Sequence, residues 1–185
     1  LRYAPCVTGM FVIEGGGATA DTGGKPTVLS GRVWLVDVAN IDTDMIFHNR
    51  HLAITDPREM GQYALGNLPG WEDFPQKVQP GDFVVAGANF GCGSSRQQAV
   101  DCFLTLGVSA LIAPSYGAIY ECNAINAGLP ILICDLLGAG LDNGQEITVD
   151  LETGRITWAG GTCQAEPFSQ VQMDIYQRGG LLAKA

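Results

Sequence analysis

One short segment, Asn89 to Arg96 (NFGCGSSR), concentrates residue types that bind an anionic ligand. Gly91 and Gly93 can turn the backbone sharply at the end of a predicted strand. The two serines that follow would begin a helix, whose free amides and positive dipole end favour an anion. Arg96 adds a planar guanidinium that fits a carboxylate or a phosphate. The segment therefore predicts an anion-binding turn, with a helix-capping serine and a solvated arginine as the simpler alternative.

A nucleotide phosphate is the less favoured ligand for this turn. The segment contains neither G-x-x-x-x-G-K-[ST] nor G-x-G-x-x-G, and no lysine lies near it in the sequence. Both motifs depend on a backbone cradle of defined spacing, which is missing here.

The elements that must position the turn predict an α/β fold. Strands are expected over 82–87, 109–114 and 129–134, with helices over 95–106 and 116–127 between them. Strands that alternate with helices through short connections are typical of right-handed crossovers and an at least partly parallel sheet. The turn would then lie at the carboxyl end of a strand, where open α/β sheets bind ligands.

The rest of the chain predicts additional elements and one candidate division. A strand is expected over 28–37, a helix from Asp56 and Pro57 to about Leu65, a hairpin over 146–160 with its turn at 152–154, and a terminal helix that breaks at Gly179 and Gly180. Residues 1–28 are interpreted as an N-terminal extension or hairpin, with a possible strand at 7–13 and a Gly-rich linker at 15–26, and residues 29–185 as the main domain.

Composition excludes several function classes. Hydrophobic residues make up 46% of the 185 residues and charged residues 16%, which predicts a packed domain rather than a disordered chain. The net charge of −9 argues against nucleic acid and anionic membrane as partners. No apolar run reaches the roughly 18 residues of a membrane span. The opening residues are too interrupted by Pro5 and Gly9 for a signal peptide.

The six cysteines form no C-x-x-C pair and have no histidine at zinc-finger spacing. An even count permits disulfides, but a chain this large and apolar does not need them. Cys92 is interpreted as a small residue that fits the turn, and the other five as buried thiols. We therefore expect a reduced protein of the cytoplasm.

Three segments occur in an order that resembles a known family. They are NIDTD at 40–44, NFGCGSSRQQA at 89–99 and APSYGAIYECNAINAGLPIL at 113–132. Over about residues 29–135 this order is similar to the small subunit of the isopropylmalate dehydratase branch of the aconitase superfamily. That subunit corresponds to the swivelling domain of aconitase. The resemblance implies a swivelling β/β/α domain, in which a partly parallel sheet is accompanied by helices and extra antiparallel strands.

The resemblance also implies an activity. Members of the family are hydro-lyases, and this branch interconverts 2-isopropylmalate and 3-isopropylmalate through isopropylmaleate in leucine biosynthesis. The small subunit is active only with a large subunit that holds a [4Fe–4S] cluster, so no metal or cofactor is expected in this chain. Loss of hydroxide needs a Lewis acid, which the cluster iron would supply.

The resemblance assigns roles to residues of the turn. Ser94 would be the catalytic base, acting as an alkoxide that the helix N-terminus, nearby amides and Arg96 stabilise. Ser95 and Arg96 would bind a substrate carboxylate, Arg96 through two hydrogen bonds. The residues expected to form the loop are Gly91, Cys92 and Gly93.

Two departures from the family pattern occur. Gln97 and Gln98 stand where many members have Glu-His, and amides can replace that pair if it only supports the loop. In the segment IFHNRHL at 46–52, Arg50 falls on the family's arginine and is a candidate substrate ligand. His48 replaces a proline of the family there, and His51 replaces a tyrosine.

Ile54 is the candidate specificity residue. Relatives that act on homoaconitate have an arginine near this position, and an apolar residue cannot pair with a distal carboxylate. An isoleucine suits an isopropyl or methyl group, which favours isopropylmalate, with homoaconitate, citramalate and dimethylmalate as alternatives. The simpler interpretation is that Ile54 belongs to the core.

Two other functions and one metal site remain as alternatives. A swivelling anion-binding or carrier module would need no chemistry of its own, although neither histidine lies in a recognisable carrier motif. A small hydrolase using Ser94 lacks a convincing acid and base. His48 and His51 are three residues apart, but no third metal ligand follows at a recognisable spacing.

Overall fold

The computed structural model describes residues 24–183; the strand expected at 7–13 and most of the linker at 15–26 lie outside them. Within this part of the chain the strands are β1 Val28–Val36, β2 Phe83–Ala86, β3 Ala110–Ala113, β4 Ile131–Ile133, β5 Glu146–Asp150, β6 Arg155–Trp158 and β7 Gly161–Gln164. The α-helices are α1 Thr43–Ile46, α2 Pro57–Met60, α3 Phe74–Lys77, α4 Gln98–Thr105, α5 Ala118–Ala127 and α6 Gln170–Arg178. Two 3₁₀ turns span Asn49–His51 and Gly61–Tyr63.

The strands form one mixed sheet in the order β4-β3-β2-β1-β5-β6-β7. Strands β1 to β4 are parallel, and β5 to β7 are antiparallel. The long strand β1 belongs to both halves, because Val28 to Arg32 pair with β5 and Val33 to Val36 pair with β2. The α/β fold with a partly parallel sheet is confirmed.

The two faces of the parallel strands are covered by different layers. Val84 and Leu111 lie in one core cluster with residues of the helices, such as Phe103. The alternating residues, such as Val85, lie in a second cluster with Ile147 and other residues of the antiparallel strands. Because successive side chains of a strand point to opposite faces, the antiparallel half packs over one face together with Tyr176 of α6, and helices α1 to α5 pack over the other. This is the β/β/α layering that the resemblance implies.

Most element ends follow the expected local signals. The hairpin turns at 152–154, where Gly154 has a φ of +71°. Helix α5 ends at Gly128 and α6 ends at Gly179, both in the left-handed conformation that glycine adopts readily. Ser169 begins α6 with a capping box, in which its hydroxyl accepts from the Gln172 amide.

The helix expected from Asp56 to Leu65 is shorter than predicted. Asp56 caps α2 as expected, but the helix ends at Met60 and continues as a 3₁₀ turn. Leu65 has a φ of +57° and is fully buried, so core packing overrides helix propensity at this end.

Strand β7, which pairs with β6 beyond the predicted hairpin, was not predicted from the sequence.

The expectation of six free thiols is wrong. Cys134, which directly follows β4, and Cys163 on β7 form a disulfide. Strands β4 and β7 are the two outer strands of the sheet, and folding of the antiparallel half over the parallel half brings them together. Cys102 is buried as expected, whereas Cys122 is exposed. Among residues 24–183, no helix is long and apolar enough to cross a bilayer.

Candidate functional site

Three loops meet at the carboxyl edge of the parallel strands, the edge at which α/β sheets bind ligands. Residues 40–44 follow β1, residues 89–97 follow β2 and residues 115–117 follow β3. The first and second loops pair through their backbones, since the Thr43 amide donates to the Cys92 carbonyl (2.9 Å) and the Gly91 amide to the Ile41 carbonyl (2.7 Å). The three segments of the family resemblance are thus assembled in one place.

The second and third loops are joined in the same way. The Phe90 amide donates to the Ser115 carbonyl (3.1 Å), and the Gly117 amide donates to the Phe90 carbonyl (2.8 Å). The Asn89 side-chain amide donates to Asn40 Oδ1 at 2.9 Å, which links the second loop to the first again. Backbone and side-chain bonds therefore fix all three loops against one another.

Tight backbone geometry is concentrated in the second loop. Gly91 and Gly93 have φ angles of +73° and +96°. A Cβ atom on Gly91 would overlap the ring of Tyr120, which is buried under the loop. Asn89, at the start of the loop, also has a left-handed φ of +60°. Non-glycine residues in this region cluster at functional sites, where the surrounding structure holds them.

The helix that follows the loop begins three residues later than predicted. Helix α4 starts at Gln98, and Gln97 is its N-cap without a side-chain capping bond. Ser94 and Ser95 are therefore exposed loop residues, and the expectation that they begin the helix is wrong. The physical reason is the neighbouring Arg96, whose side chain bonds to groups of the α1 region and holds this segment outside the helix.

Arg96 is fixed by acceptors within the chain. Its Nη1 donates to Asp44 Oδ1 at 2.6 Å and to the Phe47 carbonyl at 3.0 Å, and the side chain is only 16% exposed. The hydrogen bond from Arg96 is the main reason that the pKa of Asp44 is lowered. Arg96 is thus no solvated surface residue. Its other N–H groups donate no hydrogen bond within residues 24–183, so they are available to an anion.

The backbone around Ser94 offers further donors. The N–H groups of residues 94–97 donate no hydrogen bond to the described part of the chain. The Ser95 hydroxyl accepts from the side chain of Asn123 on α5 at 3.4 Å. Exposed hydroxyls, free amides and a fixed guanidinium within three successive residues form an arrangement that can bind and stabilise a carboxylate or an alkoxide.

The segment at 46–52, which contains the candidate ligand Arg50, is connected to the second loop through Asp44. The carboxylate that accepts from Arg96 also accepts from the Asn49 amide at 3.0 Å, at the start of the 3₁₀ turn. Arg50 on this turn is exposed, and its Nε donates to His51 Nε2 at 2.9 Å. Ile54 is half-buried and packs against the core on the helical side of the sheet. The roles proposed for Arg50 and Ile54 stay predictions.

Three contacting residues were not identified as site residues from the sequence. The sequence explains Asp44 as well by turn formation as by orientation of the substrate loop, and it places Asn123 on a helix face toward the sheet or a partner. His51 enters only as a departure from the family and as half of a metal pair without a third ligand. Their contacts join residues far apart in the chain or depend on one side-chain orientation. The sequence order of the family segments was the only signal that could have brought Asp44 close to Arg96.

The described residues do not fit an iron–sulfur cluster. No group of three or more His, Cys, Asp or Glu side chains that could hold a metal ion comes together within residues 24–183. Cluster ligation needs several thiolates in one place. Burial raises the pKa of the Cys102 thiol, which opposes formation of its thiolate. No chemical step is therefore assigned to a cluster held by these residues.

The layered fold and this loop assembly define a class of protein: a swivelling-type β/β/α domain with a loop of unbonded amides and a fixed arginine at the carboxyl edge of its parallel strands. The model of the aconitase C-terminal domain matches residues 39–135, which include all three loops. The chain belongs to the aconitase C-terminal domain family.

Individual relatives agree with this family. The chain is 39% identical over 158 residues to an isopropylmalate/citramalate isomerase small subunit of Methanocaldococcus jannaschii, covering 84% of this chain and 92% of that one. It is 43% identical over 145 residues to a 3-isopropylmalate dehydratase small subunit of Caldicellulosiruptor bescii, covering 77% and 86%. The crystal structure of a 3-isopropylmalate dehydratase from M. jannaschii superposes with a TM-score of 0.77 at 35% identity, covering 84% and 92%.

Proposed function

We propose that this chain is the small subunit of a hydro-lyase that interconverts 2-isopropylmalate and 3-isopropylmalate by dehydration and rehydration. The observation that supports this best is the position of exposed Ser94 beside Arg96, whose guanidinium is fixed by Asp44 where the three family loops interlock. The relatives described above are named as small subunits of enzymes with this activity.

In this proposal the activity needs a large partner subunit. A [4Fe–4S] cluster on that subunit would supply the Lewis acid that accepts the departing hydroxide. This chain would contribute the groups that face the cluster across the subunit interface. They are the base and the residues that bind the substrate carboxylates. The complete enzyme is proposed to work in the cytoplasm.

Ser94 is proposed to take the proton from the carbon beside a substrate carboxylate. A serine hydroxyl is a very weak acid, so its alkoxide must be stabilised by fixed donors and positive charge. Because α4 begins only at Gln98, this stabilisation comes from Arg96 and from the free amides of residues 94–97 rather than from the helix end at Ser94. Ser95 and the unbonded N–H groups of Arg96 would hold the carboxylate.

Arg50 and Ile54 are proposed to bind the remainder of the substrate. The exposed guanidinium of Arg50 would meet the second carboxylate, which the isopropylmalates have in common with citramalate. Ile54, with no charge to offer a third carboxylate, favours a branched alkyl substituent over the distal acid of homoaconitate. Isopropylmalate is therefore the proposed substrate, and citramalate, dimethylmalate and homoaconitate are the competitors.

The test is reconstitution with a large subunit of a dehydratase. Neither subunit alone should turn over 3-isopropylmalate, and the mixed complex should do so with higher kcat/KM than for citramalate, dimethylmalate or homoaconitate. Removing the base by Ser94→Ala should lower kcat about 10³-fold without preventing assembly. The matched control is Ser30→Ala, an exposed serine on β1 far from the loops, which should keep full activity.

Two results would overturn the proposal. An assembled complex in which Ser94→Ala is as active as the parent would exclude Ser94 as the base. A complex that binds carboxylates but turns over none of the four acids would identify the chain as a non-catalytic anion-binding module.

A further inference from the structure

Both histidines of the chain accept hydrogen bonds from Arg50. His48 Nδ1 accepts from the Arg50 backbone amide at 3.0 Å and so caps the 3₁₀ turn. His51 Nε2 accepts from Arg50 Nε at 2.9 Å. An imidazole nitrogen can accept only when it carries no proton, so both contacts require neutral rings.

The ring of His51 is held in place by aromatic neighbours. It stacks on Tyr63 with ring centroids 3.9 Å apart and an angle of 20° between the planes. Phe47 meets it edge-on at 6.1 Å, and the carbonyl of Phe47 accepts from Arg96. His51 therefore has little freedom to turn away from Arg50, and it is packed against a residue that also positions Arg96.

The contact decides which side of the Arg50 guanidinium is free. A guanidinium can bind a carboxylate through Nε and one Nη, or through its two Nη groups. Because Nε donates to His51, the pair of Nη groups remains for a carboxylate. His51 thus restricts an exposed, flexible side chain to one orientation before substrate arrives, which lowers the entropy lost on binding.

We propose that neutral His51 is a positioning residue that orients Arg50 to bind a substrate carboxylate, and that protonation of His51 releases Arg50 and weakens substrate binding. This inference rests on the proposed function, in which Arg50 is a substrate ligand. When His51 is protonated, its Nε2 becomes a donor and faces Arg50 Nε, so the hydrogen bond is replaced by repulsion between two cations.

The surroundings of His51 favour the neutral form. Burial, followed by the positive charge of Arg50, lowers the pKa of His51 below the ordinary histidine value. The titratable groups near the ring are Arg50 and His48 on its own turn and Tyr63 on the next turn, and Asp44 binds the Asn49 amide at the start of the turn. Release of Arg50 is therefore expected on the acidic side of the ordinary histidine range, and full binding is expected at neutral pH.

The first test measures KM and kcat of the reconstituted complex against pH. For the parent, KM should rise about 10-fold as His51 becomes protonated, while kcat on the acidic side follows the same curve as in the variants. His51→Phe keeps the stacking on Tyr63 but removes the acceptor, so its KM should be about 10-fold higher at neutral pH and should not rise further on acidification. His51→Gln keeps an acceptor that cannot titrate and should give a low KM across the range. Equal KM profiles for the parent and His51→Phe would overturn the proposal.

The second test needs no catalysis, because the full chain has only two histidines to observe by NMR. His48→Asn keeps a capping oxygen and leaves one imidazole signal, which assigns His51. The pKa of His51 should lie below that of a free histidine and should rise in Arg50→Ala. A pKa that does not move in Arg50→Ala contradicts the contact itself. If the pKa moves but the complex dehydrates none of the acids, the contact stands and the proposed function fails.

Discussion

Arg96 has two tasks that compete for its donors. One Nη group is bound to Asp44 and to the Phe47 carbonyl, and this bonding holds the guanidinium in place. The remaining N–H groups are those that can meet a substrate carboxylate. A planar guanidinium can serve both directions at once, because its donors diverge in a fixed plane. The donors of an ammonium group all project from one nitrogen, so they cannot be divided between a fixed contact and a substrate in this way.

Replacing Arg96 by lysine is therefore expected to be damaging although the charge is kept. The three donors of lysine all project from one nitrogen, so they cannot hold Asp44 and the Phe47 carbonyl and also offer a substrate carboxylate two parallel hydrogen bonds. We therefore expect kcat/KM of the reconstituted complex to fall about 10- to 100-fold. The matched control is Arg58→Lys, since Arg58 is 89% exposed and pairs only with Asp56 in the described residues. Retention of more than half of the parent kcat/KM in Arg96→Lys would show that the planar donor arrangement of the guanidinium is not needed.

At this scale the sequence predicted residue types better than contacts. The glycines, the serines and the arginine of the turn could be recognised from their spacing alone. The pairing of Arg96 with Asp44 spans 52 residues of sequence and depends on the tertiary fold. The contact of His51 with Arg50 depends on a ring orientation that Tyr63 fixes from another turn. Neither contact has a local signal in the sequence.

Among the elements, the parallel strands determine where the three loops meet. Each loop continues a parallel strand, and the loops then pair with one another beyond the sheet. At Gly91 the second loop comes close to α5, because the left-handed backbone of Gly91 lies directly over the ring of Tyr120. A side chain there would separate the second loop from α5.

Gly91→Ala should therefore destabilise the protein more than left-handed strain alone can explain. The matched control is Gly70→Ala, because Gly70 also has a positive φ (+84°) but has open space around its Cβ position. We expect a loss of about 1–2 kcal/mol in the free energy of unfolding for Gly70→Ala, and a further 1–3 kcal/mol for Gly91→Ala from overpacking. Urea unfolding of both variants measures the difference, and equal losses would exclude the contact with Tyr120 as the cause.

The elements themselves were predictable where local signals are strong. Buried apolar runs located β2, β3 and β4, and the glycines at 128 and 179 located two helix ends. The start of α4 was placed too early because an ion pair holds Arg96 outside the helix. The disulfide between Cys134 and Cys163 could not be foreseen, since it depends on how the two halves of the sheet fold over one another.

At the scale of the whole molecule, β1 connects the two halves of the sheet at one point. Its pairing changes from β5 to β2 between Arg32 and Val33. The Arg32 guanidinium donates two hydrogen bonds to Asp82, just before β2, at 3.1 and 2.7 Å. Trp34 Nε1 and the Gln79 amide donate to the same carboxylate, each at 2.9 Å. Asp82 is therefore the buried anion that fixes the crossover between the halves.

This anion gives the fold a specific acid sensitivity. Burial raises the pKa of Asp82, but the hydrogen bonds from Arg32 and Trp34 outweigh it and leave the pKa below its ordinary value. A carboxyl group with a lowered pKa in the folded state stabilises the fold above its unfolded pKa of about 3.9, and this contribution is lost as the pH falls through the folded value. Stability from Asp82 should thus be complete at neutral pH and disappear only in strong acid.

Asp82→Asn tests whether the charge, rather than the shape, of this group holds the crossover together. At pH 7 the substitution should lower the free energy of unfolding by about 2 kcal/mol, because Arg32 is partly exposed and can recover some hydration. The matched control is Asp73→Asn, which removes an exposed pair with Lys77 and should cost no more than about 0.5 kcal/mol. Urea unfolding at several pH values should show the deficit of Asp82→Asn shrinking below pH about 4, where the carboxyl of the unfolded parent takes up a proton, and vanishing once the pH falls through the lower pKa of the folded state. A deficit that stays constant with pH would mean that the asparagine disturbs packing and that the ionised carboxylate is not what joins the two halves of the sheet.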